Sequence, residues 1–244
     1  MKIHLIKTQL ANAIAVEYPR GLFVIDVARG CHRQVLGGVE DVTGRSIEDI
    51  TLVTCTHDDV DHMGGIWRLS DLTGADIALP HASGSAAIKI ANDPFGNLTR
   101  FGTGLLEMTR PRMWNMYANP GRAKAAGRLP KYQGEESGTL PADRLEPLRL
   151  KDGDTLPGFE EWEVLHTPGH SWDSCCYYHK ESGSLVSGDT LLGSRKKSRL
   201  VLPAIYANRL HFTKTLNRLR TLDIRAVYPG HGMVIEGENL LADL

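Results

Sequence analysis

The chain has 244 residues, 41% of them hydrophobic and 23% charged. That balance belongs to a globular protein able to bury a sizeable core, and it excludes disorder. A net charge of −1 gives the whole molecule no bias toward nucleic acid or anionic membrane, so any such preference must come from a local patch. Four cysteines are too few for a disulfide scaffold: Cys175 and Cys176 are adjacent and Cys55 closes an apolar run. All four read as free thiols, which suits a reducing, cytoplasmic setting.

The predicted elements open with strands at 3–6, 11–17 and 22–27, punctuated by Pro19-Arg20-Gly21. The first residues lack the basic block and cleavage pattern of a signal peptide and read as strands. No run approaches the ~20 apolar residues needed to cross a bilayer. A helix is expected over 34–42, ending near Gly44, and then a compact apolar strand over 50–55. The polar cluster 56–62 follows, then an amphipathic helix over 63–72 closed by Gly74, a strand over 75–79 and a helix near 82–91. Periodicity breaks down between 92 and 141. Beyond it come short strands at 162–165, 175–178 and 184–186, and a helix over 205–222 with Leu216, Leu219 and Leu222 on one face. A strand at 226–228 and a short helix after Glu238 finish the chain. Strands and helices mix throughout, the pattern of an α/β domain with helices outside the sheets. No repeat of solenoid period is present.

The chemistry concentrates in Thr56-His57-Asp58-Asp59-Val60-Asp61-His62-Met63-Gly64-Gly65, where several imidazoles and carboxylates crowd a strand-to-helix junction. These side chains bind zinc, iron or manganese, and a tight loop can aim several at one point. Three further stretches follow predicted strands: Thr167-Pro168-Gly169-His170, Ser187-Gly188-Asp189 and Tyr228-Pro229-Gly230-His231-Gly232. Each offers one ligand at a strand end, flanked by glycine so that the backbone can turn sharply.

In order and spacing these motifs resemble the signature of the metallo-β-lactamase superfamily, from Asp26 in Val24-Ile25-Asp26 through His231. The resemblance implies a four-layer αββα sandwich, one domain spanning 1–244, with the region of about 92–141 as a helical, lid-like insertion. It also implies two divalent metal ions, zinc first, with manganese or iron as alternatives. By the resemblance, His57 and His170 ligate one metal, Asp61, His62 and His231 the second, and Asp189 bridges both. Asp26 matches a supporting acid that orients the His-rich loop. The family's usual His-x-His-x-Asp-His departs here, because Asp59 stands in place of the second His. Asp59 could ligate as a carboxylate and tilt the site toward manganese or iron, or weaken that position so that one metal is held.

A metal-dependent hydrolase follows, acting on an ester, thioester, lactone or related bond through a metal-bound hydroxide, with Asp61 or Asp59 managing the proton. No Gly-x-Ser-x-Gly elbow competes with this reading. The alternatives are a phosphodiesterase or nuclease, and an iron-dependent oxidoreductase or metal-poor binding protein. Arg100, Arg110, Arg112, Arg122, Lys124, Arg128 and Lys131 face the single acid Glu107 across 100–131, alongside Met108, Met113, Trp114, Met116 and Tyr117. This stretch suits an anionic or amphiphilic small-molecule substrate as a lid, or else a solvated hairpin or homodimer contact. Arg195-Lys196-Lys197-Ser198-Arg199 adds a second basic run, which keeps nucleic acid as a lesser alternative. His81 reads as a substrate contact or a helix-cap neighbour. His4, His32, His166, His179 and His211 read as structural or surface residues, and Cys55 as core packing.

Overall fold

The computed structural model describes residues 1–117, 121, 124, 126–134, 146–242 and 244, with the side chains of all but 112 and 115. Arg122, the Arg112 side chain and the far end of the expected insertion, 135–141, lie outside the described residues. Two compact units form, each drawn from several chain segments. The first takes the described residues of 1–55, 59–79 and 120–149, the second those of 56–58, 80–119 and 150–244.

The first unit is built on a six-stranded sheet in the order β1-β2-β3-β4-β5-β6. Strands β1 (Lys2–Lys7), β2 (Asn12–Tyr18) and β3 (Gly21–Ile25) pair antiparallel. Strands β4 (Ile50–Thr54) and β5 (Asp76–Pro80) then add in parallel, and β6 (Leu148–Leu150) closes the edge. Every residue of β3 is buried, as its uninterrupted apolar run requires. The parallel pairs need crossovers, and helices α1 (His32–Thr43) and α2 (Ile66–Thr73) supply them. Each ends on a left-handed glycine, Gly44 or Gly74, whose N–H returns to the last turn. Val35, Leu36 and Val39 of α1 and Ile66 and Leu69 of α2 pack in one core with Leu22, Val24 and Val53. Cys55 is fully buried in the same core.

The second unit carries a six-stranded sheet in the order β14-β13-β10-β9-β8-β7. Its strands are β7 (Thr155–Leu156), β8 (Phe159–His166), β9 (Cys175–His179), β10 (Ser184–Gly188), β13 (Ala226–Pro229) and β14 (Ile235–Glu236). A separate hairpin joins β11 (Leu192–Ser194) to β12 (Arg199–Val201). Helix α3 (Ala86–Asn92) answers to the helix expected near 82–91, while α4 (Gly96–Met108) and α5 (Pro111–Tyr117) occupy the stretch where no periodicity was expected from 92 onward. Helix α6 (Arg209–Leu219) is the crossover between parallel β10 and β13, and its Phe212, Leu216 and Leu219 pack with Leu165, Leu185 and Val227. It starts later than the expected 205 because the Asn208 side chain accepts from the Leu210 and His211 N–H groups and caps it there. Among the described residues past Glu238 the expected helix does not form; Asn239 holds a positive φ of 52°, which a right-handed helix cannot contain. No helix among the described residues is long and apolar enough to cross a membrane.

Candidate metal centre

In the first unit, β3 runs out into Asp26, whose N–H is held by the Thr54 carbonyl at 2.9 Å. The loop after β4 is laced onto this segment by backbone bonds: Val27 N–H to the His62 carbonyl at 2.7 Å, Arg29 N–H to Val60 at 3.0 Å, and Gly65 N–H to Val27 at 2.7 Å. This lacing brings the buried Asp26 carboxylate to His62, where Oδ2 accepts from Nδ1 at 2.8 Å. With Nδ1 donating, Nε2 of the fully buried His62 keeps its lone pair, and it faces Asp61 Oδ2 at 3.7 Å. Asp59 caps the turn, its carbonyl accepting from the His62 and Met63 N–H groups, and its side chain is half-buried.

In the second unit, three strand ends and the segment Thr56–Asp58 gather His57, His170, Asp189 and His231, all buried. His170 follows β8, Asp189 comes directly after β10, and His231 lies two residues past β13, the parallel neighbour of β10. The His57 and His170 rings meet edge-on with centroids 5.0 Å apart. His170 Nδ1 donates to the Ile205 carbonyl at 2.8 Å, which leaves Nε2 as the lone-pair atom. That Nε2 lies 3.8 Å from Asp189 Oδ2, while Asp189 Oδ1 lies 3.6 Å from His231 Nε2. One carboxylate thus turns each of its oxygens to a different imidazole. These separations exceed a hydrogen bond and approach the roughly 3.3 Å that two ligands at 2.0–2.1 Å span across a tetrahedral ion. Donor chemistry and spacing together fit divalent metals.

Two glycines set these turns. Gly188 holds φ 49° and Gly232 φ 97°, and a Cβ would overlap the Thr56 side chain at the first and the Gly193 carbonyl at the second. The loop bearing His57 is fixed by a partly buried charge cluster centred on the buried Asp173. Asp58 N–H donates to Asp173 Oδ2 at 2.8 Å, Ser83 Oγ donates to the same oxygen at 2.8 Å, and Lys89 Nζ pairs with Asp58 and with Asp173 Oδ1 at 2.9 Å. Burial opposes ionisation of Asp173, but the Lys89 ammonium, then His57 and the two side-chain hydrogen bonds outweigh it and hold the carboxyl at about 2.

Several residues around the ligands were not singled out by sequence. Arg100 of α4 donates from Nη2 to His170 Nε2 at 2.8 Å, and the Tyr117 ring of α5 stands 4.5 Å from that of His231. Both belonged to the basic, aromatic stretch, yet nothing in their spacing marked them apart from their neighbours. Lys89 and Asp173 lacked any motif, though Asp173 lies three residues past His170. His81 is exposed, its N–H donates to the Leu150 carbonyl at 2.7 Å, and it lines a cavity of about 280 Å³ with His166, Trp172 and Asp173. His4 pairs with Glu17 and His179 with Ser182, as structural histidines do. The run Arg195 to Arg199 forms the exposed turn of the β11–β12 hairpin.

A family model described as the metallo-beta-lactamase superfamily matches residues 7–231. Over 100 residues the chain is 32% identical to the probable metallo-hydrolase YqjP of Bacillus subtilis, a match covering 38% of this chain and 31% of that protein. Over 73 residues it is 36% identical to an atrochrysone carboxyl ACP thioesterase of Aspergillus fumigatus, covering 30% of this chain and 21% of that one. The alignments thus span under a third of either relative's length. The solved metallo-beta-lactamase family protein TTHA1429 from Thermus thermophilus superposes on 99% of this chain and 77% of its own, with a TM-score of 0.58 at 21% identity. The match of the family model over nearly the whole sequence, with a shared α/β fold beneath it, places this chain in the metallo-beta-lactamase superfamily.

Proposed function

We propose that the protein is a metal-dependent hydrolase of ester, thioester, lactone or related bonds. The observation that carries this reading is Asp189, whose two oxygens each face a different imidazole, as a carboxylate shared by two ions requires. His57 and His170 would hold one ion with Asp189. Asp61, His62 and His231 would hold the other with the same Asp189, and Asp59 would complete the first set. His57 and Asp59 are only two residues apart in sequence, which supports a single centre drawing on all seven side chains. Four imidazoles suit zinc, and each added carboxylate raises the relative fit for manganese or iron. When bound, the ions would activate water at neutral pH and polarise the oxygen that gains charge in the reaction.

The chain's own residues do the rest. Asp26 fixes the His62 tautomer, and the Ile205 carbonyl fixes that of His170. Asp61, about one-third exposed beside His62 Nε2, is the group best placed to take and return a proton. Arg100 Nη2 donates to His170 Nε2, the atom that would ligate the ion, so the guanidinium would have to leave that lone pair when an ion binds and would then be placed to orient an anionic substrate group. Since α4 and α5 carry Arg100 and Tyr117 to two ligands, we read them as a wall of the substrate site and 92–141 as the insertion that forms it. The family match spanning 7–231 supports one domain. A thioester among the substrates is favoured by the likeness to a named thioesterase. The buried free thiols suit a reducing, cytoplasmic setting.

Metal content by mass spectrometry, paired with a screen of thioesters, lactones, carboxylic esters and phosphodiesters, tests the proposal. The expected result is about two ions per chain and hydrolysis that chelation removes and zinc or manganese restores. Activity that survives complete metal removal would refute it, and turnover of phosphodiesters alone would install the phosphodiesterase in its place.

A further inference from the structure

Beside α3 the second unit holds a cavity of about 280 Å³, and none of the seven candidate ligands is among the described residues that line it. Ala82, Ile88 and the Trp172 indole give it apolar walls. The Trp172 ring is braced on two sides, meeting the rings of His166 and His211 edge-on with 5.1 Å between centroids in each pair. His166 also lines the cavity, and its Nε2 must carry the proton, because it donates at 2.6 Å to the Trp172 carbonyl, which only accepts. Nδ1 therefore keeps a lone pair and is left as an acceptor. An apolar cavity of about 150 Å³ takes up benzene. The larger volume here has room for a two-ring molecule.

Charge and hydrogen bonding select the occupant. Of the ionic groups at the walls, Asp173 pairs with Lys89 at 2.9 Å and Asp152 with Arg218 at 2.6 Å, while Lys151 is exposed to water. Lys89 also pairs with Asp58, so cations and carboxylates stay in balance around the cavity. The other Asp173 oxygen is filled by Ser83 Oγ and the Asp58 N–H, each at 2.8 Å. An ion entering the apolar interior would lose its hydration and gain no partner in exchange. A flat aromatic ring suits the indole wall, and an N–H or O–H on that ring completes the acceptor at His166. We propose that this cavity is a second ligand site, separate from the metal centre, for a neutral heteroaromatic molecule of about the size of indole that carries a hydrogen-bond donor.

Isothermal calorimetry of the whole protein, once treated with chelator and once loaded with zinc, tests the site with indole, 1-methylindole and indole-3-acetate. The expected result is about one indole per chain with a dissociation constant on the order of 0.1 mM, the same within about twofold in both preparations. 1-Methylindole keeps the ring but lacks the N–H, and should bind about fivefold or more weakly. Indole-3-acetate should bind no more tightly than indole. Ile88→Trp, which fills the cavity from the half-buried side of α3, should cut indole affinity by about tenfold or more. Circular dichroism should show that variant folded like the parent, and the comparison among the probes needs no variant at all. No binding of indole overturns the proposal, as does binding that Ile88→Trp leaves intact or that 1-methylindole matches. Binding that chelation abolishes would place the ring at the metals and overturn it as well, whatever reaction that centre performs. Tighter binding of indole-3-acetate would overturn the neutral ligand.

Discussion

At the scale of single residues, Asp26 shows how the sequence accepts strain to place a ligand. It is a non-glycine residue at φ 65°, a backbone region that costs most side chains of the order of 1–3 kcal/mol. Asp and Asn tolerate it better than other residues, and the carboxylate is what the position needs, because it holds His62 Nδ1 at 2.8 Å. Replacing it with alanine removes the hydrogen bond that selects the tautomer and leaves the buried His62 free to turn. Asp26→Ala should weaken metal binding by roughly 10–100-fold, measured by calorimetric titration of the metal-free protein. An unchanged affinity would mean that His62 is held by its packing alone. The acids Asp58 and Asp173 act differently: Asp173 accepts from the Asp58 N–H and Asp58 from the Gly84 N–H, so their work is to hold the loop beside His57.

At the scale of elements, the turns before Asp189 and after His231 in the second unit are too tight for a side chain. Gly188 is the sharpest case, since it combines φ 49° with the Thr56 side chain against its Cα. Gly188→Ala should lower stability by about 1–3 kcal/mol in urea unfolding and reduce metal content together, because the strained turn carries Asp189 directly. Loss of stability with full metal content would separate the turn from the site. These turns were legible in advance because glycine beside His or Asp after an apolar run has few other uses. Most strands and helix α2 were legible for the same reason, their apolar periods matching their burial. Helices α4 and α5 were not. Gly102 and Gly104 lower helix propensity, and the apolar spacing of Leu98, Phe101 and Leu105 points outward, so the usual link between period and core is reversed. Arg100 and Tyr117 were hidden with them, since a contact to a ligand far along the chain leaves no local trace.

At the scale of the whole molecule, all four cysteines are buried and unpaired by disulfide. Burial raises the Cys175 thiol well above its ordinary range and Cys176 to about 11, the latter despite hydrogen bonds from Thr167 and Thr190 that favour the thiolate. A chromogenic disulfide reagent at pH 8 should therefore modify none of the four quickly in the native protein, and all four once urea unfolds it. Rapid reaction of one thiol under native conditions would reveal a local opening that exposes it. The interleaving of the two units has its own consequence for synthesis. The strands β1 to β5 and helices α1 and α2 leave the ribosome within the first 80 residues, whereas every strand of the second sheet lies beyond residue 150. Folding on the ribosome can then proceed vectorially, with the core around α1 and α2 condensing first. The tripeptide Thr56–Asp58, made early but belonging to the later unit, must wait for more than a hundred further residues before Cys175 arrives to bind the Thr56 carbonyl. Until Cys175 has been made, the His57 loop lacks the backbone bond that holds its first residue in place.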